Sequence, residues 1–315
     1  MQARRKLPPQ PPVSRLDLPT MCRIYLPPAS HALLNGVSQI FLQANPVCGL
    51  LILVTISLYA PSLLLGSLLG LVSGTLTARC LGYERHDIES GLYGYNSTLL
   101  GLLITLVLGP SAAVLLVVAL TGAFSSLLQQ RLLRTMRERG GPAMLTLAFV
   151  LFGWLALGAA GMLGSVAEAR GHESSLDGWG AMAAMASGMG QVMFLGEPGA
   201  GLCLLLAVLI ADRRAGLWAL CGSAIGVYCA LLTGVTESQA LAGLAGYNPA
   251  LAALALSQVY RSAAIPALGI ALAISCKLAF DELGIPALTM PFILSCWTVA
   301  LGARLTQRHA DTQLA

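Results

Sequence analysis

The chain has 315 residues, of which 56% are hydrophobic and 10% charged, and its net charge is +4. Soluble domains carry about 25% charged residues, so the length does not represent a pair of ordinary soluble domains. The excess positive charge gathers at the ends and in a few loops, a pattern of membrane topology that gives no sign of a nucleic-acid partner.

The first residues, MQARRKLPPQPPVSRLDLP, are basic and Pro-rich with no apolar signal-peptide core, so 1–27 reads as a loosely ordered cytoplasmic tail. No Asp, Glu, Lys or Arg occurs between Arg23 and Arg79, nor from Ser90 to Gln130. Shorter uncharged stretches cover 140–167, 178–196, 215–236, 238–260 and 283–303. A helix needs about 20 apolar residues to cross a bilayer, and several stretches meet that length. In lipid the backbone must bond internally, which leaves helices or a closed barrel. The runs are continuous and rich in Leu and Ala, without the alternation of barrel strands. The expected fold class is therefore an all-α polytopic membrane protein.

Apolar segments are expected near 31–44, 47–60, 61–82, 90–103, 111–131 and 142–161. They recur near 180–195, 199–211, 214–234, 242–256, 263–280 and 286–303. Three phrases mark the recurrence. SQIFLQANP (38–46) returns as GQVMFLGEP (190–198), and GLYGYNSTL (91–99) returns as GLAGYNPAL (243–251), both at an offset of 152. PAMLTLAF (142–149) returns as PALTMPF (286–292), with its threonines 143 apart. One unit has been duplicated, with about nine residues lost late in the second copy. The expected organisation is a first membrane repeat at 28–165, an extracytoplasmic loop at 166–178, a second repeat at 179–304 and a cytoplasmic tail at 305–315.

The fourth segment of each unit is short, Gly-interrupted and carries a polar Asn, the usual pointer to a substrate site in duplicated transporters. If it is re-entrant, each unit keeps five crossings plus one tilted half-helix. The odd number inverts the second repeat and makes ten crossings in total. With both termini cytoplasmic, twelve of the eighteen Lys and Arg residues fall on the inner face, as the positive-inside rule favours. Of the eight cysteines, six lie within apolar runs and none forms a C-x-x-C, so packed thiols are expected and no metal or cofactor site is implied.

The three duplicated phrases, taken together, resemble the urea transporter family from about Pro28 to Arg304. That resemblance implies two inverted repeats, a trimer with one pore per protomer, and passive, channel-like diffusion of urea across a plasma or bacterial inner membrane. It also implies the pore residues. Gln39 and Gln191 match the family's urea-binding acid or amide positions, and a Gln amide both donates and accepts; an interhelical hydrogen bond is the other role open to each. Thr146 and Thr289 match the narrow-site threonines, although a membrane Thr often bonds its own i−4 carbonyl. Leu99 and Leu251 match leucines pressed on the planar solute. Phe194 matches a slot aromatic. In the first repeat Leu42 holds that place, with Phe41 one residue earlier, and Ala148 stands where the family often has Pro. Asn96 and Asn248 either line the path or satisfy broken backbone. Rival readings are a channel for another small neutral solute, ammonia or a short amide, and an intramembrane enzyme or scaffold. No nucleophile, metal cluster or acid–base pair breaks the repeat, as an enzyme would require.

Overall fold

The computed structural model describes residues 28–163, 178–233 and 240–313; the tail at 1–27 and nearly all of the expected connecting loop lie outside the described residues. The first half contains α1 (Pro28–Ser38), a 3₁₀ turn at Gln39–Phe41, α2 (Pro46–Tyr59) and α3 (Pro61–Cys80). It continues with α4 (Arg85–Glu89), α5 (Tyr95–Leu108), α6 (Ala112–Glu138) and α7 (Leu147–Met162). The second half contains α8 (Gly178–Gln191), α9 (Pro198–Ala211), α10 (Arg213–Leu232), α11 (Tyr247–Val259), α12 (Ala264–Glu282) and α13 (Met290–Gln313). No strand occurs among the described residues.

Local chemistry sets the helix starts. Pro46, Pro61 and Pro198 stand in the first turn, where a missing N–H costs nothing and the fixed φ suits the helix. The side chains of Asn45, Ser111 and Asp212 accept bonds from the first free backbone amides of α2, α6 and α10. The starts at Pro46, Pro61, Tyr95 and Ala112 recur 152 positions later at Pro198, Arg213, Tyr247 and Ala264. α6 has 27 residues and α12 only 19, so the shortening of the second copy falls at the end of this helix.

Among the described residues, four non-Gly residues adopt positive φ, and they too form matched pairs: Leu42 with Phe194, and Leu145 with Leu288. Each breaks an apolar run that would otherwise continue. Among the described residues, α3, α6, α10 and α12 are long and apolar enough to cross a membrane. The bent pair of α1 with its 3₁₀ turn and α2, kinked by 76°, makes up to five. α5, α7 and α9, and the apolar part of α13, are shorter.

α5 and α11 occupy the interior. α5 buries every residue from Tyr95 to Thr105, and α11 every residue from Asn248 to Ser257. A helix apolar on all faces belongs in a core. The long helices turn leucines outward instead, including Leu65, Leu116, Leu217 and Leu268. One apolar cluster runs through both halves.

Candidate functional site

The Gly-Tyr-Asn phrase opens α5 and α11, each preceded by a turn pressed on the first helix of its own half. Gly91 has φ +86°, and a Cβ there would lie 2.3 Å from the Gly36 amide nitrogen. Gly243 has φ +75° and would meet the Gly188 nitrogen at 2.6 Å. Only glycine fits both the left-handed backbone and the close approach.

Gln39 and Gln191 hold these turns in place. Gln39 Nε2 donates to the Ser90 carbonyl at 3.0 Å, and Gln191 Nε2 to the Ala242 carbonyl at 2.9 Å. Both side chains are only partly buried. Bonding one amide N–H to a carbonyl fixes the amide orientation, leaving Oε1 and the second N–H of each glutamine available. Nearby, Asp87 is 3% exposed and takes bonds of 2.7 and 2.9 Å from Arg137, which clamps α4, and with it Ser90, against α6.

Asn96 and Asn248 do structural work across elements. Asn96 Oδ1 accepts from the Phe149 amide at 3.0 Å, and Asn248 Oδ1 from the Phe292 amide at 3.1 Å. Phe149 is the third residue of α7 and Phe292 the third of α13, one of the amides that a helix start leaves unpaired. An N-cap side chain normally accepts this bond. Here the cap comes from the neighbouring helix, so Thr146, the N-cap residue of α7, makes no capping bond. The second functions of the two asparagines differ: Asn96 Nδ2 donates to Gln129, whereas Asn248 Nδ2 donates to the Leu288 carbonyl. Gln129 in turn donates to the Tyr95 hydroxyl.

Freed from capping, Thr146 meets Thr289. The hydroxyls lie 2.7 Å apart, and each residue is 2% exposed. One hydroxyl donates to the other, so the pair retains one free O–H donor and several lone pairs. The contact is flanked by a reciprocal pair: Trp154 Nε1 donates to the Pro286 carbonyl at 2.7 Å, and Trp297 Nε1 to the Ala143 carbonyl at 2.8 Å. Residue and partner exchange between the halves at the threonine offset of 143, the mark of a two-fold contact. Tyr95 and Tyr247 bond the carbonyls of the strained Leu145 and Leu288, fixing the turn before each threonine.

The apolar residues separate by position. Leu99 and Leu251 are each 1% exposed in the middle helices. Phe194 (φ +63°) and Leu42 (φ +56°) occupy the same place in matched turns, and both are half-buried. The Phe194 ring reaches the first half, 6.2 Å from Phe149 at 56°. Phe41 is fully buried in the core, so Leu42 alone takes the place matching Phe194. The structure thus brings together Thr146 with Thr289 and Phe194 with Phe149. Gln39 and Gln191 bond within their own halves, and no hydrogen bond among the described residues joins them. Gln129, Tyr95, Tyr247 and the two tryptophans escaped the sequence reading. The tryptophans were detectable, because they share the offset of the threonines. Gln129 is not repeated as Gln: Asp281 stands 152 positions later and bonds Lys277 instead, so the pair gave no signal.

The family model for urea transporters matches residues 30–304. Among curated proteins, urea transporter 1 of sheep (Ovis aries) and of goat (Capra hircus) are each 28% identical over 293 residues, covering 83% of this chain and 74% of theirs. Urea transporter 1 of rat (Rattus norvegicus) is 27% identical over 249 residues, 72% of this chain and 62% of its own.

Proposed function

The chain belongs to the urea transporter family, an integral membrane family, and from that membership we propose that it passes urea passively through a path lined by both of its halves. It acts as a channel and not as an enzyme. Ten crossings in two inverted repeats, three protomers per assembly, a plasma or bacterial inner membrane and cytoplasmic termini complete the reading. Odd numbers of crossings per repeat put the two-fold axis in the membrane plane, consistent with the reciprocal tryptophan bonds.

The observation that carries the proposal is the Thr146–Thr289 contact, made available because asparagines from α5 and α11 cap the helices behind it. Urea is flat and neutral, with four N–H donors and one carbonyl oxygen. The threonine pair offers lone pairs to the donors and one O–H to the oxygen. Gln39 and Gln191 stand outward of this point and present Oε1 to an arriving N–H group. Leu99, Leu251, Leu42 and Phe194 form apolar walls that accept the faces of the planar solute. Asn96 and Asn248 support the path, because Oδ1 and an Nδ2–H of each already hold neighbouring elements.

Stopped-flow light scattering on proteoliposomes under an inward urea gradient tests this. The native chain is expected to admit urea well above the rate of empty vesicles. Gln39→Ala combined with Gln191→Ala is expected to lower entry at least about tenfold, the cost of roughly 1.4 kcal/mol per step lost on the path. Unchanged entry in the double variant would remove the glutamines from the path. Entry by the folded native chain no faster than in empty vesicles would remove urea as the solute.

A further inference from the structure

Away from the duplicated phrases, the turn after α3 and the second half of α6 form a groove of about 440 Å³, lined by Leu81, Tyr83, Leu127, Leu128, Gln130 and Arg131. A cleft of this size is in the range that holds a small ligand. Its depth in the membrane follows from α6. The helix has no charge from Ala112 to Gln130, and its 27 residues extend to about 40 Å, beyond a hydrocarbon core of about 30 Å. Arg131 is its first charge, so the groove straddles the boundary between acyl chains and headgroups. Leu127 and Leu128 lie on the hydrocarbon side of Arg131, and Leu81, just past Arg79, closes the groove at the boundary.

The polar end is rich in donors and already ordered. The Tyr93 hydroxyl donates to Gln130 Oε1, which orients the amide and leaves its Nε2 donors uncommitted among the described residues. Tyr83 rests on Tyr93 with ring centroids 5.3 Å apart. The other arginines of α6 are paired, Arg134 with Glu138 and Arg137 with Asp87. Arg131 is exposed and has no acidic partner among the described residues. A cation and an amide donor without matching acceptors, set above a leucine floor, complement an anionic phosphodiester attached to an acyl chain.

We propose that this groove holds a phospholipid with an anionic headgroup, its phosphate at Arg131 and Gln130 and its chain along Leu81, Leu127 and Leu128. The site lies outside the proposed urea path and does not depend on it. It makes the protein selective for one class of lipid among those that surround it.

Native mass spectrometry on the full-length chain in detergent, with dioleoyl phosphatidylglycerol or dioleoyl phosphatidylcholine added, tests the proposal. The native chain is expected to retain the anionic lipid preferentially. Arg131→Ala and Arg131→Gln are each expected to lower its retention about fivefold, the worth of one basic residue at a membrane surface. Retention of phosphatidylcholine should stay unchanged, as should retention of both lipids by Arg134→Ala. Equal retention of the two lipids by the native chain would overturn the proposal, as would Arg131 variants that bind like the native chain. Loss in Arg134→Ala as large as in Arg131→Ala would replace the site with diffuse surface charge. Displacement of the lipid by millimolar inorganic phosphate would show an anion site without a chain-binding groove. Urea entry and thermal melting, measured on the same variants, confirm that each chain is folded.

Discussion

Phe194 and Leu42 sit at the same place in matched turns, with the same left-handed backbone, and differ by an aromatic ring. A benzyl side chain supported by Phe149 is a stiffer and wider wall than an isobutyl one. The two ends of the proposed path should therefore discriminate unequally by solute width, with the second half the more stringent. Phe194→Leu is expected to raise the entry of N-methylurea relative to urea by about tenfold, the discrimination a methylene-sized change gives in an apolar pocket. Leu42→Phe is expected to move the ratio the other way. Proteoliposome entry rates for both solutes read it directly; identical ratios in the two variants would take these side chains out of the path. The offset of 152 in the sequence matches Phe194 to Leu42, with Phe41 one residue earlier. The turn geometry bears out Leu42 as the counterpart and sends Phe41 into the core, because a one-residue shift at a left-handed break redirects the side chain.

At the scale of the element, the helix starts of α7 and α13 depend on groups from other helices. Asn96 and Asn248 do the same capping job, but their surroundings differ. Removing Asn96 leaves both the Phe149 amide and the Gln129 carbonyl oxygen without their partner. Removing Asn248 leaves the Phe292 amide unpaired, while the Leu288 carbonyl still receives the Tyr247 hydroxyl. Each unpaired buried group costs about 1–3 kcal/mol. Asn96→Ala is thus expected to lower the melting temperature in detergent more than Asn248→Ala, and equal shifts would mean that Gln129 finds another donor. The existence of these helices was legible from their apolar length. Their caps were not, because donor and acceptor are 53 and 44 positions apart.

Across the whole molecule, the side chains placed on the proposed path are all neutral, although the halves are also joined by Arg304, which donates to the Gly141 carbonyl at 2.9 Å. Gln39, Gln191, Thr146, Thr289, Asn96 and Asn248 carry the polar chemistry, with Leu and Phe around them. None of these titrates between about pH 5 and 8, where histidine changes charge. Urea entry is therefore expected to stay flat across that range, with no dependence on an imposed proton gradient. A slope corresponding to one bound proton, measured in vesicles of fixed lipid composition, would contradict passive passage. The charged clamp of Asp87 and Arg137 lies beyond the middle helices and secures a turn without entering their interior.

The sequence by itself determined the membrane class, the helical content, the duplication and the family. Each of these rests on patterns local in the chain: uncharged runs, repeated phrases and their offsets. It also determined which residues stand in matched pairs. The tertiary structure decided what those pairs do. It brought Thr146 against Thr289 and showed that the asparagines cap neighbouring helices. It committed one N–H of each glutamine to its own turn, and sent Phe41 into the core. These outcomes depend on contacts between residues dozens to more than a hundred positions apart. In a dry interior an unpartnered amide or hydroxyl is costly, and the fold alone specifies which partner is within reach.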